Sequence, residues 1–295
     1  MTSNRQNIML KRICEKFQNK NYRLNSTFDH KSAHPTPHMP SLPTPPMPSL
    51  PTPSTPPPPL PPLSDVSIDR DQKEDFGESL YRLLEGKNIL FIDLETTGLP
   101  GKPTSNIKCL FEDNLKFNSS RILEIGWYYL TNFRKDFIFD HNDVKQILRK
   151  PTDFKHIPHD SFLIHGITYE RVSSDGEVIS QIMNGEFGEC LKGADIVMAY
   201  NAVFDVSIVL NELYRIKFDT MYRRLSAQID ANQILCMKKI CKEYFGKIAR
   251  QKDVYHKCFG DYPPDQHRAK GDCIAMVDIF RYIIDNPTGR KVDKL

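Results

Sequence analysis

A mixed β-sheet flanked by helices, preceded by a disordered N-terminal region, is the fold class this sequence predicts. Two patterns carry the prediction. From about Val66 onward, strand-like runs come first in succession and then alternate with helical patterns, the order a mixed sheet covered by helices requires. From His34 to Leu63 proline dominates, and proline fixes φ while removing the donors of a helix or ladder. Three regions follow: a basic arm over residues 1–30, a proline-rich linker over 31–65 and a globular domain over 66–295.

The arm carries Arg5, Lys11, Arg12, Lys16, Lys20 and Arg23 against few acids. It reads as a nucleic-acid-binding arm, an organelle transit peptide or a solvated, partly helical tail. The linker contains "HMPSLPTP" followed by "PMPSLPTP", and its composition predicts an extended, polyproline-II-rich spacer. Its P-x-x-P windows fit a partner's aromatic groove, so a protein partner is one expectation and a plain spacer the other.

Within the domain, "DRDQKEDFGESLYRLLEG" reads as a helix. "NILFIDLETTGL" follows as a strand with Leu90, Ile92 and Leu94 on one side and Ile89, Phe91, Asp93 and Glu95 on the other. Both sides are mostly apolar, the mark of a central strand buried on two faces. "RILEIGWYYL" and "DFIFD" read as further strands, the first reached through the long connection Pro100 to Ser120 with Lys102, Lys108 and Lys116. "DIVMAYN" is a short apolar strand. "FDVSIVLNELYRI" places Val206, Val209, Leu210 and Leu213 at helical spacing. The last helix carries Ala269, Cys273, Met276, Val277 and Phe280 on one stripe and stops before Pro287.

Composition narrows the function classes. No apolar run approaches the roughly 18 residues that span a bilayer, and no signal-peptide pattern is present, so a soluble, intracellular protein is expected. The seven cysteines form no C-x-x-C pair, which favours reduced thiols over a disulfide framework or zinc site. A net charge of +3 is compatible with nucleic acid without arguing for it.

The carboxylates say more. Burying Asp93 and Glu95 on one strand face costs several kcal/mol unless something neutralises them. A hard divalent cation does so, because it prefers oxygen ligands. Two further acids stand where such a site wants them. Asp205 opens a helix just past a strand, and a helix N-terminus favours an anion. Asp272 sits on the apolar stripe of the last helix, with His267 at its start.

Taken together, "FIDLETTGL", "YNAVFD" and "HRAKGD" resemble the three motifs of the DnaQ-like (DEDDh) 3′→5′ exonucleases, the family of the proofreading epsilon subunit and ribonuclease T. "RILEIG", "IHGIT" and "DVYHKCFG" match its second strand, its intermediate signature and its segment before the last motif. The resemblance runs from about Lys87 to Ile284. It implies a ribonuclease-H-like fold and hydrolysis of terminal phosphodiesters with two divalent cations, Mg²⁺ or Mn²⁺. Asp93, Glu95, Asp205 and Asp272 would be the ligands and His267 the general base. It further implies that Thr96, Thr97, Leu99, Asn201, His165 and Phe204 lie against the 3′ nucleotides.

The expected partner is a nucleic-acid 3′ end, with DNA favoured and RNA the close alternative. An inactive scaffold of a polymerase complex is the reading of another class. No oligomeric state is expected from the sequence. Tyr200 departs from the family's histidine, which affects packing more than chemistry. Gly271 within the third motif costs about 1 kcal/mol of helix stability and predicts a late or mobile start to the last helix.

Overall fold

The computed structural model describes residues 75–101, 114–246 and 250–288. The basic arm, the proline-rich segment, the first residues of the expected N-terminal helix, and Lys102 and Lys108 lie outside them.

In chain order, α1 (Phe76–Leu84) leads into β1 (Ile89–Thr96), followed by β2 (Ile122–Leu130) and β3 (Lys145–Leu148). Four short helices come next: α2 (His159–His165), α3 (Tyr169–Asp175), α4 (Ile179–Asn184) and α5 (Glu186–Gly193). Then follow β4 (Ile196–Ala199), α6 (Ala202–Arg215), α7 (Asp219–Asp230) and β5 (Ile234–Cys236). The last three are α8 (Met237–Phe245), α9 (Gln251–Phe259) and α10 (Ala269–Asp285). The strands form one five-stranded sheet in the order β3-β2-β1-β4-β5. β1 is antiparallel to β2 and parallel to β4, so the sheet is mixed, as the element order predicts.

The alternation along β1 divides the core. Ile89 and Phe91 join one cluster with Leu80 of α1 and Cys273, Met276, Val277 and Phe280 of α10. Leu90, Ile92 and Leu94 join the other with Val206, Val209, Leu210 and Leu213 of α6. Burial on both faces explains why neither set of β1 side chains is polar until Asp93. Tyr200 is buried in the first cluster, a packing role.

One expected strand is absent. "DFIFD" lies outside the ladder, and the strand paired with β2 is instead Lys145–Leu148. Aromatic packing holds the segment in place of ladder bonds: Phe137 sits 5.4 Å from Phe133, and Phe139 sits 4.8 Å from Tyr128, ring to ring. Ile138 between them is exposed. The alternation is real but it faces a core, not a neighbouring strand.

The late start expected of the last helix is not seen, since Gly271 lies inside it. α10 begins at Ala269, immediately after the third motif's first two residues. A Cβ on Gly271 would stand 2.3 Å from the Asp265 carbonyl oxygen, so the glycine admits the preceding loop against the helix. Its low helix propensity is offset by that close approach.

Candidate active site

The site forms where β1 outruns its parallel neighbour. β4 pairs with β1 only from Ile89 to Phe91, whereas β1 continues to Thr96 beside β2. The first turn of α6 follows β4 and brings Asp205 against β1, where the Leu94 backbone N–H donates to its carboxylate. From the other side α10 supplies Asp272. Asp93, Glu95 and Asp272 each offer a carboxylate oxygen within 4.8 Å of the others. Asp205 stands just outside that trio but close enough to raise the proton affinity of Asp93 and Glu95.

Electrostatics shows what this crowding costs. Burial, and then the charges of Asp272, Asp205, Glu95 and Glu124, hold the Asp93 carboxyl well above the usual carboxylate range. Burial, with Asp272, Glu124 and Asp205 adding to it, pushes Glu95 up to about 8, and Arg268 only partly opposes this. Asp205 also rises to about 8 through burial, despite the hydrogen bonds from its own N–H and that of Leu94. Asp272 rises to about 6, because burial outweighs the pull of neighbouring His267. Such a set of converging hard oxygens is the donor chemistry of Mg²⁺ or Mn²⁺, and its raised proton affinity marks an uncompensated negative charge. The residues fit divalent cations.

His267 is exposed beside Asp272 and takes a left-handed backbone conformation, φ 60°. Its N–H donates to Asp272 Oδ2 at 3.0 Å, so the two expected functional residues of the third motif are joined directly. Two further residues belong to the site and were not singled out from the sequence. Glu124 of β2 lies directly opposite Glu95 in the register, and it accepts from Arg268 Nε at 3.0 Å. A carboxylate opposite a carboxylate on one strand pair repels, and that coincidence was the available signal. It could not be read without the register.

The expected nucleotide contacts divide. Leu99 is 77% exposed beyond the acids, and Asn201 is exposed at the start of α6. Phe204 is half-buried against the second core cluster. Thr96 and Thr97 are buried, and the Thr97 hydroxyl donates to Ser119 O at 3.0 Å and accepts from the Arg121 N–H at 2.8 Å. That hydroxyl is occupied in holding the turn. The His165 ring is buried too: its Nδ1 accepts from the Ile167 N–H at 3.0 Å, which leaves the proton on Nε2, and burial depresses its pKa. Exposed on the same helix are Phe162, Leu163 and Ile164.

Away from the acids, a buried ion network pins α6 to the sheet. Arg121 donates to both Glu212 carboxylate oxygens at 2.7 and 2.9 Å, and Asp153 bridges Arg121 and Arg149. No helix among the described residues is long and apolar enough to cross a membrane.

The architecture is similar to solved structures. E. coli exonuclease I in complex with a dT13 oligonucleotide aligns with a TM-score of 0.50 at 17% identity, covering 67% of this chain and 41% of that one. Its zinc-bound complex with single-stranded DNA aligns with a TM-score of 0.51 at 19% identity, covering 67% of this chain and 40% of that one. A 3′-exonuclease recognising a histone mRNA stem-loop aligns with a TM-score of 0.50 at 13% identity, covering 70% of this chain and 84% of that one. The chain thus spans about two fifths of the exonuclease I structures, and at these identities the likeness establishes the fold. No curated protein matches by sequence. The family model described as RNase_T, Exonuclease, matches residues 90–280, a span that contains all four carboxylates and His267. With well over half its length inside that match, the chain belongs to the exonuclease family.

Proposed function

We propose that this protein is a metal-dependent 3′→5′ exonuclease that removes nucleotides from the ends of unpaired DNA strands. The observation that carries the reading is the convergence of Asp93, Glu95 and Asp272 within 4.8 Å. Asp93, Glu95, Asp205 and Asp272 would hold two divalent cations, Mg²⁺ or Mn²⁺. When bound, these neutralise the cluster, polarise the scissile phosphate and stabilise the attacking and leaving oxygens. His267, exposed beside Asp272, takes the proton from the attacking water. Leu99, Asn201 and Phe204 border the approach for the terminal nucleotide, and Thr96, Thr97 and His165 support the floor beneath it.

A second reading, an exoribonuclease, is favoured by the similarity to the 3′-exonuclease of the histone mRNA stem-loop, 84% of which this chain covers. Sensing the 2′-OH separates the two. The proline-rich segment and basic arm would tether the domain to a protein partner or substrate.

The test uses matched 5′-labelled single strands of DNA and RNA with the purified protein, Mg²⁺ or Mn²⁺, and an EDTA control. A metal-dependent ladder shortening from the 3′ end supports the reading, and the faster strand names the substrate class. Folded protein that shortens neither strand with either metal would refute it and favour the inactive scaffold.

A further inference from the structure

Resting on the exonuclease reading, we propose that Glu124 and Arg268 form a positioning latch: they seat the first turn of α10 so that His267 and Asp272 meet the carboxylates of β1. Four observations carry this. Glu124 is 1% exposed, and its carboxylate accepts three hydrogen bonds, from Arg268 Nε at 3.0 Å, from the Arg268 terminal nitrogen at 2.5 Å and from the Ala269 N–H at 3.1 Å. The third bond makes Glu124 the cap of a helix whose own N-cap residue, Arg268, supplies none.

The strand is shaped for this docking. Glu124 and Gly126 share a face of β2, and a Cβ on Gly126 would stand 2.2 Å from the Ala269 carbonyl oxygen. Only glycine lets the helix start come so close. The loop just before α10 is meanwhile held in an unfavourable shape, with Asp265 at φ 52° and His267 at φ 60°. Left-handed conformations at non-glycine residues persist where neighbouring bonds over-determine them. Here the bonds are His267 N–H to Asp272 on one side and Arg268 to Glu124 on the other.

The pairing also has directional content that charge balance alone lacks. Glu124 faces Glu95 across the β1–β2 ladder, so any cation nearby would relieve their repulsion. A planar guanidinium gripping both carboxylate oxygens fixes the angle at which the chain enters α10, which a lysine ammonium does not. Neither Glu124 nor Arg268 needs to touch substrate to act.

The experiment compares wild type, Arg268→Lys, Arg268→Ala and Glu124→Gln as full-length chains. It reads the apoprotein melting temperature, Mn²⁺ affinity by calorimetry, and kcat and KM on the labelled strand. Residues that orient metal-bound groups typically carry about ten- to hundredfold effects on affinity or activity. Arg268→Lys is therefore expected to melt close to wild type yet lose about tenfold or more in Mn²⁺ affinity and kcat, with KM nearly unchanged. Guanidinium ion in solution is expected to restore part of the kcat of Arg268→Ala and none of that of Glu124→Gln. Arg268→Lys with wild-type Mn²⁺ affinity and kcat would overturn the latch, as would variants that change only the melting temperature. If wild type binds Mn²⁺ but shortens no strand, the exonuclease reading falls while the Mn²⁺ comparison still decides the latch; a wild type that binds no Mn²⁺ removes both.

Discussion

Replacing Asp93 by asparagine should make the metal-free protein more stable at pH 8 while abolishing its activity. The isosteric change keeps the shape and removes one charge from a trio whose oxygens lie within 4.8 Å of one another. At an effective dielectric of 20, each such charged pair is worth about 3–4 kcal/mol of repulsion. Partial protonation of Asp93 and its neighbours already relieves some of it, so a net gain of about 2–4 kcal/mol is expected. For a domain of this size, 1 kcal/mol corresponds to roughly 2–4 °C, which places the shift between about 4 and 16 °C. The sign depends on pH. Glu95 and Asp205, both at about 8 in the folded protein, return to ordinary carboxylate values on unfolding. Between those limits the folded state holds protons that the unfolded chain has lost, so stability is full below about pH 4 and falls as pH rises towards 8. The gain from Asp93→Asn should therefore be large at pH 8 and small at pH 5.5. Saturating Mn²⁺ should reverse the order, because only wild type binds it well and binding adds to stability by mass action. Thermal melts in EDTA and in Mn²⁺ at the two pH values measure all of this. An Asp93→Asn protein that melts below wild type at pH 8 in EDTA would refute the reasoning.

Three other outcomes are expected. His267→Ala should bind Mn²⁺ like wild type and lose most of kcat, since its side chain is exposed beside Asp272 rather than among the clustered oxygens; single-turnover kinetics with calorimetry would check it. Glu212→Gln should cost about 1–3 kcal/mol in urea unfolding, because it leaves the buried Arg121 guanidinium with one of its two charged partners, Asp153. Gly271→Ala, a change that would favour an ordinary helix, should instead lower the melting temperature and kcat through collision with the Asp265 carbonyl. A stabilised, fully active Gly271→Ala protein would overturn that explanation of the glycine.

The parts of the fold legible in the sequence are those where periodicity meets a two-sided core. β1, β2, β4, α6 and α10 were readable because their apolar side chains alternate or recur with the period of the element that buries them. "DFIFD" misled because an extended segment packing aromatics onto a core has the same alternation as a strand. Helices α2–α5 are short and carry few buried residues each, so their periods are too brief to register. At the site, Asp93, Glu95, Asp205, Asp272 and His267 stood out through being acids or a histidine at apolar or helix-start positions. Glu124 and Arg268 did not, since a glutamate in a strand and an arginine beside a histidine look ordinary alone. Their partnership joins β2 to the residue before α10 and exists only once that helix packs on the sheet.

The charge of the site also limits what it can do without help from outside the chain. Five carboxylates converge around β1, those of Asp93, Glu95, Asp205, Asp272 and Glu124, and each raises or feels the proton affinity of others. Among the described residues Arg268 is bonded within this group, but its guanidinium is engaged by Glu124, which lies outside the trio. A phosphodiester is itself an anion and would be repelled by what remains. Protons could quiet the cluster at low pH, but a protonated carboxyl no longer attracts a phosphate. Divalent cations do both, cancelling the repulsion and leaving positive charge towards the substrate. On the proposed reading, the same burial that makes the apoprotein less stable as pH rises makes the site selective for divalent cations: stability given up at Asp93, Glu95 and Asp205 would be recovered on binding, with the proposed Glu124–Arg268 latch keeping the geometry in place meanwhile.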